Sequence, residues 1–233
     1  MPAKCRMKIN IRVLAIQIAG MFVVFAAALF LAAGTLAWFA GWVFLALFFG
    51  FVIAISLWLL KNDPALLRER MAGFRIAEKG WDRVILAIMH VLFFAWLVVM
   101  PFDAMRFQWS QIPAWLRIIG VLLLLGSFVL LFLTFRENSY LSPVVRVQGE
   151  RGQHVISTGP YRHVRHPMYA AALLLFVGTT MLLGSWYGLF LSVLLEVIIA
   201  RRAVLEERTL REELPGYDAY LTKVKYRLLP YIW

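Results

Sequence analysis

Residues 13–33 and 42–60 contain no charged side chain over 21 and 19 positions, and nothing else in the chain limits its fold so strongly. A helix rises about 1.5 Å per residue, so roughly 20 apolar residues cross about 30 Å of hydrocarbon with every backbone group bonded internally. A shorter run at 84–100 is closed by Pro101, and another spans 118–135. Residues 169–183 and 186–200 are 15 residues each, separated by Gly184 and Ser185. At roughly 22 Å apiece they read as a tight helical hairpin, set in a thinner region or extended past the lipid at its ends. The chain is 62% hydrophobic with a mean hydropathy of +0.77. The expectation is an all-α integral membrane protein with about six transmembrane helices, the last two a short hairpin.

The basic residues orient these spans. Lys4, Arg6, Lys8 and Arg12 precede the first, six more lie between the second and third, and five lie between the fourth and fifth. Seven run from Arg201 to Arg227 after the sixth, and only Arg106 and Arg117 fall in the alternate loops. The positive-inside rule assigns the crowded side, with both termini, to the cytoplasm. The net charge of +11 is therefore explained by topology, and no nucleic-acid partner is expected. Cys5 is the only cysteine, which excludes an intramolecular disulfide and a cysteine metal cluster; no metal is expected. The basic, then apolar N-terminus carries too long an apolar run for a signal peptide and reads as an uncleaved first span. No internal repeat is visible, which weighs against a transporter of duplicated halves.

Residues 1–135 read as a transmembrane scaffold of four spans. His90 lies inside the third, where a polar group is a functional candidate or an imidazole bonded to a neighbouring helix. The loop 61–83 mixes both charge signs around Leu66, Leu67, Met71, Phe74 and Ile76, the pattern of an amphipathic helix on the membrane face. Polar chemistry collects in residues 136–233. The stretch 159–169, Gly-Pro-Tyr-Arg-His-Val-Arg-His-Pro-Met-Tyr, abuts an apolar segment. Pro167 suits a first helical turn, whose free N–H groups form an anion-binding end beside Arg162, His163, Arg165 and His166. The same residue types also make an ordinary interfacial belt. The sixth helix runs on without a breaker until Pro215, placing Arg202 and Glu206 four apart on one face. They form either a surface ion pair or part of a site. Glu196, roughly 9 Å deeper, needs a partner, a proton or a packed neighbour.

These elements resemble the isoprenylcysteine carboxyl methyltransferase and phospholipid methyltransferase superfamily of integral membrane enzymes. The matching features, in order, are Val147-Gln-x-Glu150, Gly159-Pro-Tyr161, Arg165-His-Pro-x-Tyr169, the short apolar hairpin, Arg202-x-x-x-Glu206-Glu207, Tyr217-x-x-Tyr220 and Arg227-Leu-Leu-Pro230. The resemblance implies S-adenosylmethionine as cofactor, in a cytoplasmic site built from the C-terminal half. No Gly-x-Gly-x-x-Gly loop of the dinucleotide-binding type is present. Carried over by position, the cofactor contacts fall on Gln148, on Gln153, His154, Val155 and Ile156, on Tyr161, on His166, Pro167, Met168 and Tyr169, and on Glu206. The acceptor-orienting arginine falls on Arg202. Two departures stand out. Ala171 occupies a position that is glycine in many relatives, implying a less closely packed hairpin, and Leu214-Pro-Gly216 replaces a Phe-Gly pair.

A sulfonium methyl is already activated, so transfer needs an in-line nucleophile, alignment and exclusion of water. A carboxylate or thiolate on a lipophilic or small acceptor needs no base at the transfer step, and Arg202 could grip a carboxylate with its planar fork. The expected function is S-adenosylmethionine-dependent methyl transfer to such an acceptor at the cytoplasmic membrane face. Three alternatives are a phospholipid amine N-methyltransferase, a sterol-reductase-like enzyme using NADPH, and a non-catalytic membrane protein.

Overall fold

The computed structural model describes residues 9–72 and 79–233. Lys4, Cys5, Arg6 and Lys8, with Phe74, Arg75 and Ile76 of the amphipathic stretch, lie outside the described residues. All regular structure among them is helical. The helices are α1 (Ile11–Ala33), α2 (Phe39–Asn62), α3 (Pro64–Ala72), α4 (Gly80–Pro101), α5 (Ala114–Glu137), α6 (Pro167–Leu183), α7 (Trp186–Glu213) and α8 (Tyr217–Lys223). Helices α1, α2 and α5, together with α4 and the π turn Phe102–Arg106, are long and apolar enough to cross a membrane. Helix α6, with 17 residues, and the apolar start of α7 form a shorter pair.

Local chemistry sets the boundaries. Asn10 caps α1 through its side-chain oxygen, which accepts from Arg12 N and Val13 N, and Gly34 ends that helix in the left-handed conformation. The third span begins four residues earlier than its apolar run, at Gly80, so Asp82 lies in the first turn of α4. A carboxylate is favourable there beside the unbonded N–H groups. Pro167 occupies the first position of α6. Gly184, at φ +89°, turns the chain into α7, where Ser185 accepts the Gly188 N–H at 2.8 Å. No residue with a Cβ adopts that backbone without strain.

Helices α5 and α6 form the most intimate pair. A Cβ at Gly120 would fall 2.5 Å from Leu182 N, and one at Gly178 would fall 2.7 Å from Leu124 N. The backbones therefore touch, as small residues permit between membrane helices. Ala171 is fully buried in the same seam, and its carbonyl accepts the Ser127 hydroxyl at 2.8 Å. On the other side of α6, Ser192 of α7 accepts the Trp96 indole N–H of α4 at 2.9 Å. Its partner helices bury Leu97, Met100, Leu183 and Leu195 around it.

Depth along this bundle has two polar ends. One carries α3, the loop 138–166, the charged second half of α7, and α8. The other carries the π turn, where Asp103 accepts the Ser185 hydroxyl at 2.6 Å and the Tyr187 N–H at 3.4 Å. Helix α3 packs Leu66 and Leu67 against α1, α2 and α5, so the start of the amphipathic stretch is a folded cover on these helices.

Candidate functional site

At the first polar end the loop 138–166 folds over the start of α6 and the exposed half of α7. Together they line a polar cleft that opens to solvent. Gln153, His154, Val155, Ile156, Tyr161, His166, Pro167, Met168, Tyr169, Arg202 and Glu206 all line it. These residues come from four separate stretches of sequence. Gln148 does not line the cleft. It is fully buried behind the wall, donating through Nε2 to the Tyr140 carbonyl at 2.6 Å and accepting from Arg151. Its amide donates to Gln153 Oε1 at 2.6 Å. Its visible work is to shape the loop that presents Gln153 and His154.

Glu207 organises the floor of the site. Arg165 Nε donates to its Oε1 at 2.6 Å, Arg227 Nε donates to its Oε2 at 2.9 Å, and His166 Nε2 lies 3.2 Å from Oε1. Arg165 also donates to the carbonyls of Val224 and Lys225 at 2.9 and 2.8 Å. The Arg165 and His166 amides pair with the Tyr226 and Arg227 carbonyls, each at 2.9 Å. The Arg-His-Pro and Arg-Leu-Leu-Pro motifs, 60 residues apart, are thus two sides of one clasp. Glu207 lies beyond the apolar part of α7. Burial alone would raise its carboxyl, but hydrogen bonds from His166, Arg165 and Arg227 outweigh this and hold it at about 2.

Of the four side chains expected beside the start of α6, Arg162 and His163 are exposed and do not line the cleft, while Arg165 and His166 line it and are bound to Glu207. The Tyr169 and Ala170 amides make the first-turn bonds to the His166 carbonyl at 3.0 and 3.1 Å.

Arg202 and Glu206 do not form the surface ion pair that their spacing allows. Arg202 is only 5% exposed and donates to both oxygens of Asp82, from Nε at 2.8 Å and from Nη2 at 3.3 Å. It donates further to the Pro143 carbonyl and to the Tyr169 hydroxyl, each at 3.0 Å. The Tyr169 hydroxyl in turn donates to Glu206 Oε2. His166 lies parallel to the Tyr169 ring at 5.3 Å.

Sequence reasoning missed two carboxylates from the N-terminal half. Asp82 is one. Glu69 of α3 is the other: it accepts Arg146 Nε and Nη2 at 3.1 and 3.0 Å and the Ser142 hydroxyl at 2.7 Å. Burial would raise Glu69, yet its hydrogen bonds to Arg146 and Ser142 hold it below the usual carboxylate range. Tyr217 and Tyr220 also line the cleft, and their Tyr-x-x-Tyr spacing on one helical face was the available signal. Tyr220 donates to the Tyr161 carbonyl at 2.7 Å, and Asn138 donates to the Tyr161 hydroxyl at 2.8 Å. Burial pushes the Tyr161, Tyr217 and Tyr220 phenols upward, so all three keep their protons.

Residues 115–215 match the phospholipid methyltransferase family. That stretch is a phospholipid methyltransferase domain. It runs from the start of α5 to the end of α7 and contains most of the cleft, while Asp82, Glu69, the tyrosine pair of α8 and Arg227 lie outside it. No curated protein matches the chain. The matched stretch indicates a membrane methyltransferase, in agreement with the ordered motifs. Among the described residues no group of three or more His, Cys, Asp or Glu side chains is arranged to hold a metal ion. Two polar groups of the spans stand apart from the site. His90 bonds to the Leu86 carbonyl of its own helix, one turn back. Glu196 buries one carboxylate oxygen without a hydrogen-bond partner among the described residues.

Proposed function

We propose that this protein transfers a methyl group from S-adenosylmethionine to a lipophilic acceptor at the cytoplasmic face of a membrane that it crosses six times. The observation carrying this reading is the charge pattern of the cleft. Arg146, Arg165 and Arg202 each meet a carboxylate, whereas Glu206 faces the cleft bonded to a neutral tyrosine hydroxyl. The wall is therefore complementary to a cation. Tyr161, Tyr169, Tyr217 and Tyr220 add electron-rich faces beside it. S-adenosylmethionine fits this donor set through its ammonium and sulfonium charges, and when bound it supplies a methyl group already activated for in-line attack.

The chain's own residues then have definite tasks. Glu206 takes the ammonium or another cationic donor, the tyrosines shield the reacting centre from water, and Met168 and Leu210 provide apolar wall. A carboxylate acceptor gripped by Arg202 is the least favoured class, since four of the guanidinium's five N–H groups are engaged. A thiol needs no such grip. A phospholipid amine is the second reading, favoured by Glu206, which can accept the proton such an amine must lose. An NADPH-dependent reductase would need cationic side chains free for a phosphate, and Arg146, Arg165 and Arg202 are committed elsewhere.

Calorimetry on purified protein should give micromolar binding of S-adenosylmethionine and S-adenosylhomocysteine and none of NADPH. The opposite result, on folded protein, removes the methyltransferase reading. Labelled methyl transfer to phosphatidylethanolamine vesicles, to a farnesylated thiol and to a farnesylcysteine carboxylate then separates the acceptors. Single cysteines at Thr35 and Arg106 should label from the side opposite to one at Glu212; labelling from a common side contradicts the topology.

A further inference from the structure

Asp82 belongs to α4, outside the matched domain, and has no solvent exposure. Its two oxygens receive three hydrogen bonds. Arg202 Nε reaches Oδ1 at 2.8 Å, while Arg202 Nη2 at 3.3 Å and the Val145 amide at 2.8 Å both reach Oδ2. One carboxylate thus fixes a guanidinium on α7 and the loop segment 143–145 that forms part of the cleft wall. The guanidinium passes this constraint on. Its remaining bonds go to the Pro143 carbonyl of the same loop and to the Tyr169 hydroxyl at the start of α6. Tyr169 has a single hydroxyl proton. With Arg202 donating to its oxygen, that proton is directed at Glu206 Oε2.

We infer that Asp82 is a positioning residue of the cleft. Through Arg202 it sets the direction of the Tyr169 hydroxyl and so holds the Glu206 carboxylate facing the ligand space. The inference rests on the reading that this cleft binds S-adenosylmethionine. It also changes the part given to Arg202, which becomes the middle of a relay, Asp82 to Arg202 to Tyr169 to Glu206, in place of a free hand for the acceptor.

The test compares S-adenosylhomocysteine affinity by calorimetry with thermal unfolding in detergent, for the full chain and three variants. Tyr169→Phe keeps the Asp82–Arg202 pair and removes only the hydroxyl link. It should unfold near the parent temperature and lose affinity on the order of tenfold, the size of one hydrogen bond to a charged group. Asp82→Asn strands a buried guanidinium and should lose both stability and affinity. Asp82→Asn combined with Arg202→Met leaves no stranded charge, so it should regain most of the stability while affinity stays about tenfold down. A purely structural role for Asp82 makes the opposite forecast: affinity returns with stability in the double variant, and Tyr169→Phe binds normally. Either of those two results overturns the inference. Failure of the parent protein to bind S-adenosylhomocysteine would instead remove the cofactor reading, and this inference with it.

Discussion

Helix α4 and its π turn carry two fully buried aspartates, Asp82 and Asp103, 21 residues and roughly 30 Å apart. Asp82 meets a guanidinium and an amide, and its partners lead into the cleft. Asp103 meets a serine hydroxyl and an amide, and its Oδ1 has no hydrogen-bond partner among the described residues. The contrast extends to whole ends of the molecule. The cleft end is held by carboxylates with charged partners: Glu69 on Arg146, Asp82 on Arg202, and Glu207 on Arg165 and Arg227. The far end is held by backbone touching backbone at Gly120 and Gly178, and by hydrogen bonds from uncharged donors around Ser185. Buried ion pairs are a weak source of stability, because desolvation consumes much of the Coulomb gain. Their concentration at one end thus indicates a surface kept in place for a ligand.

The sharpest way to break this comparison is Asp82→Ala. It leaves Arg202 buried without its carboxylate partner and should cost about 3–5 kcal/mol, read by reversible unfolding in detergent or bicelles. At the far end, Gly178→Ala drives a methyl group against the Leu124 amide and the Gly120 carbonyl. Neither backbone atom can move cheaply, so a loss of about 1–3 kcal/mol is expected, with cofactor affinity unchanged. A larger effect on affinity than on stability would mean that the two ends are not separable.

Acid should also distinguish the ends. The Glu207 carboxyl is held at about 2, below the roughly 4.3 of an unfolded glutamate. Its contribution is complete above that value and fades as pH falls toward 2. Glu207→Gln should therefore flatten the stability profile between about pH 5 and 2, although it lowers stability at neutral pH by stranding Arg165. The smallest effect belongs to Asp103→Asn. The amide oxygen still accepts from Ser185, and no cation is left behind, so a change within about 1 kcal/mol is expected. If this variant proves as damaging as Asp82→Ala, the distinction between the two aspartates collapses.

Period and punctuation made most of the helices legible. The four long runs, the turn at Gly184 and Ser185, the start at Pro167 and the extension of α7 past Ala200 all follow from apolar spacing and caps. Eleven of the cleft-lining residues were expected from the resemblance, in which the order of the motifs mattered more than any one of them. The pairings were not legible. Spacing of four suggested that Arg202 would find Glu206, yet it found Asp82, 120 residues away. That carboxylate had read as one charge among several in the loop 61–83, because helix α4 begins before its apolar run does. Periodicity reports which face a residue occupies, and says nothing of which distant side chain will meet it there. The same limit hid Glu69, and it made the first 135 residues look like scaffold alone when two of them brace the cleft.

The clasp between residues 165–166 and 224–227 has a consequence for the order of events during synthesis. A growing chain can insert α1 to α5 as each emerges, although α5 meets its closest partner only with α6, and α4 meets α7 later still. Asp82 must wait for Arg202, and Arg165 must wait a further stretch for the Val224 and Lys225 carbonyls and for Arg227. Until those residues leave the ribosome, Glu207 lacks one of its cations and the wall of the cleft lacks a side. The polypeptide therefore becomes a membrane protein well before it becomes a ligand-binding one, and a ligand present during translation has nothing to grip until the clasp shuts.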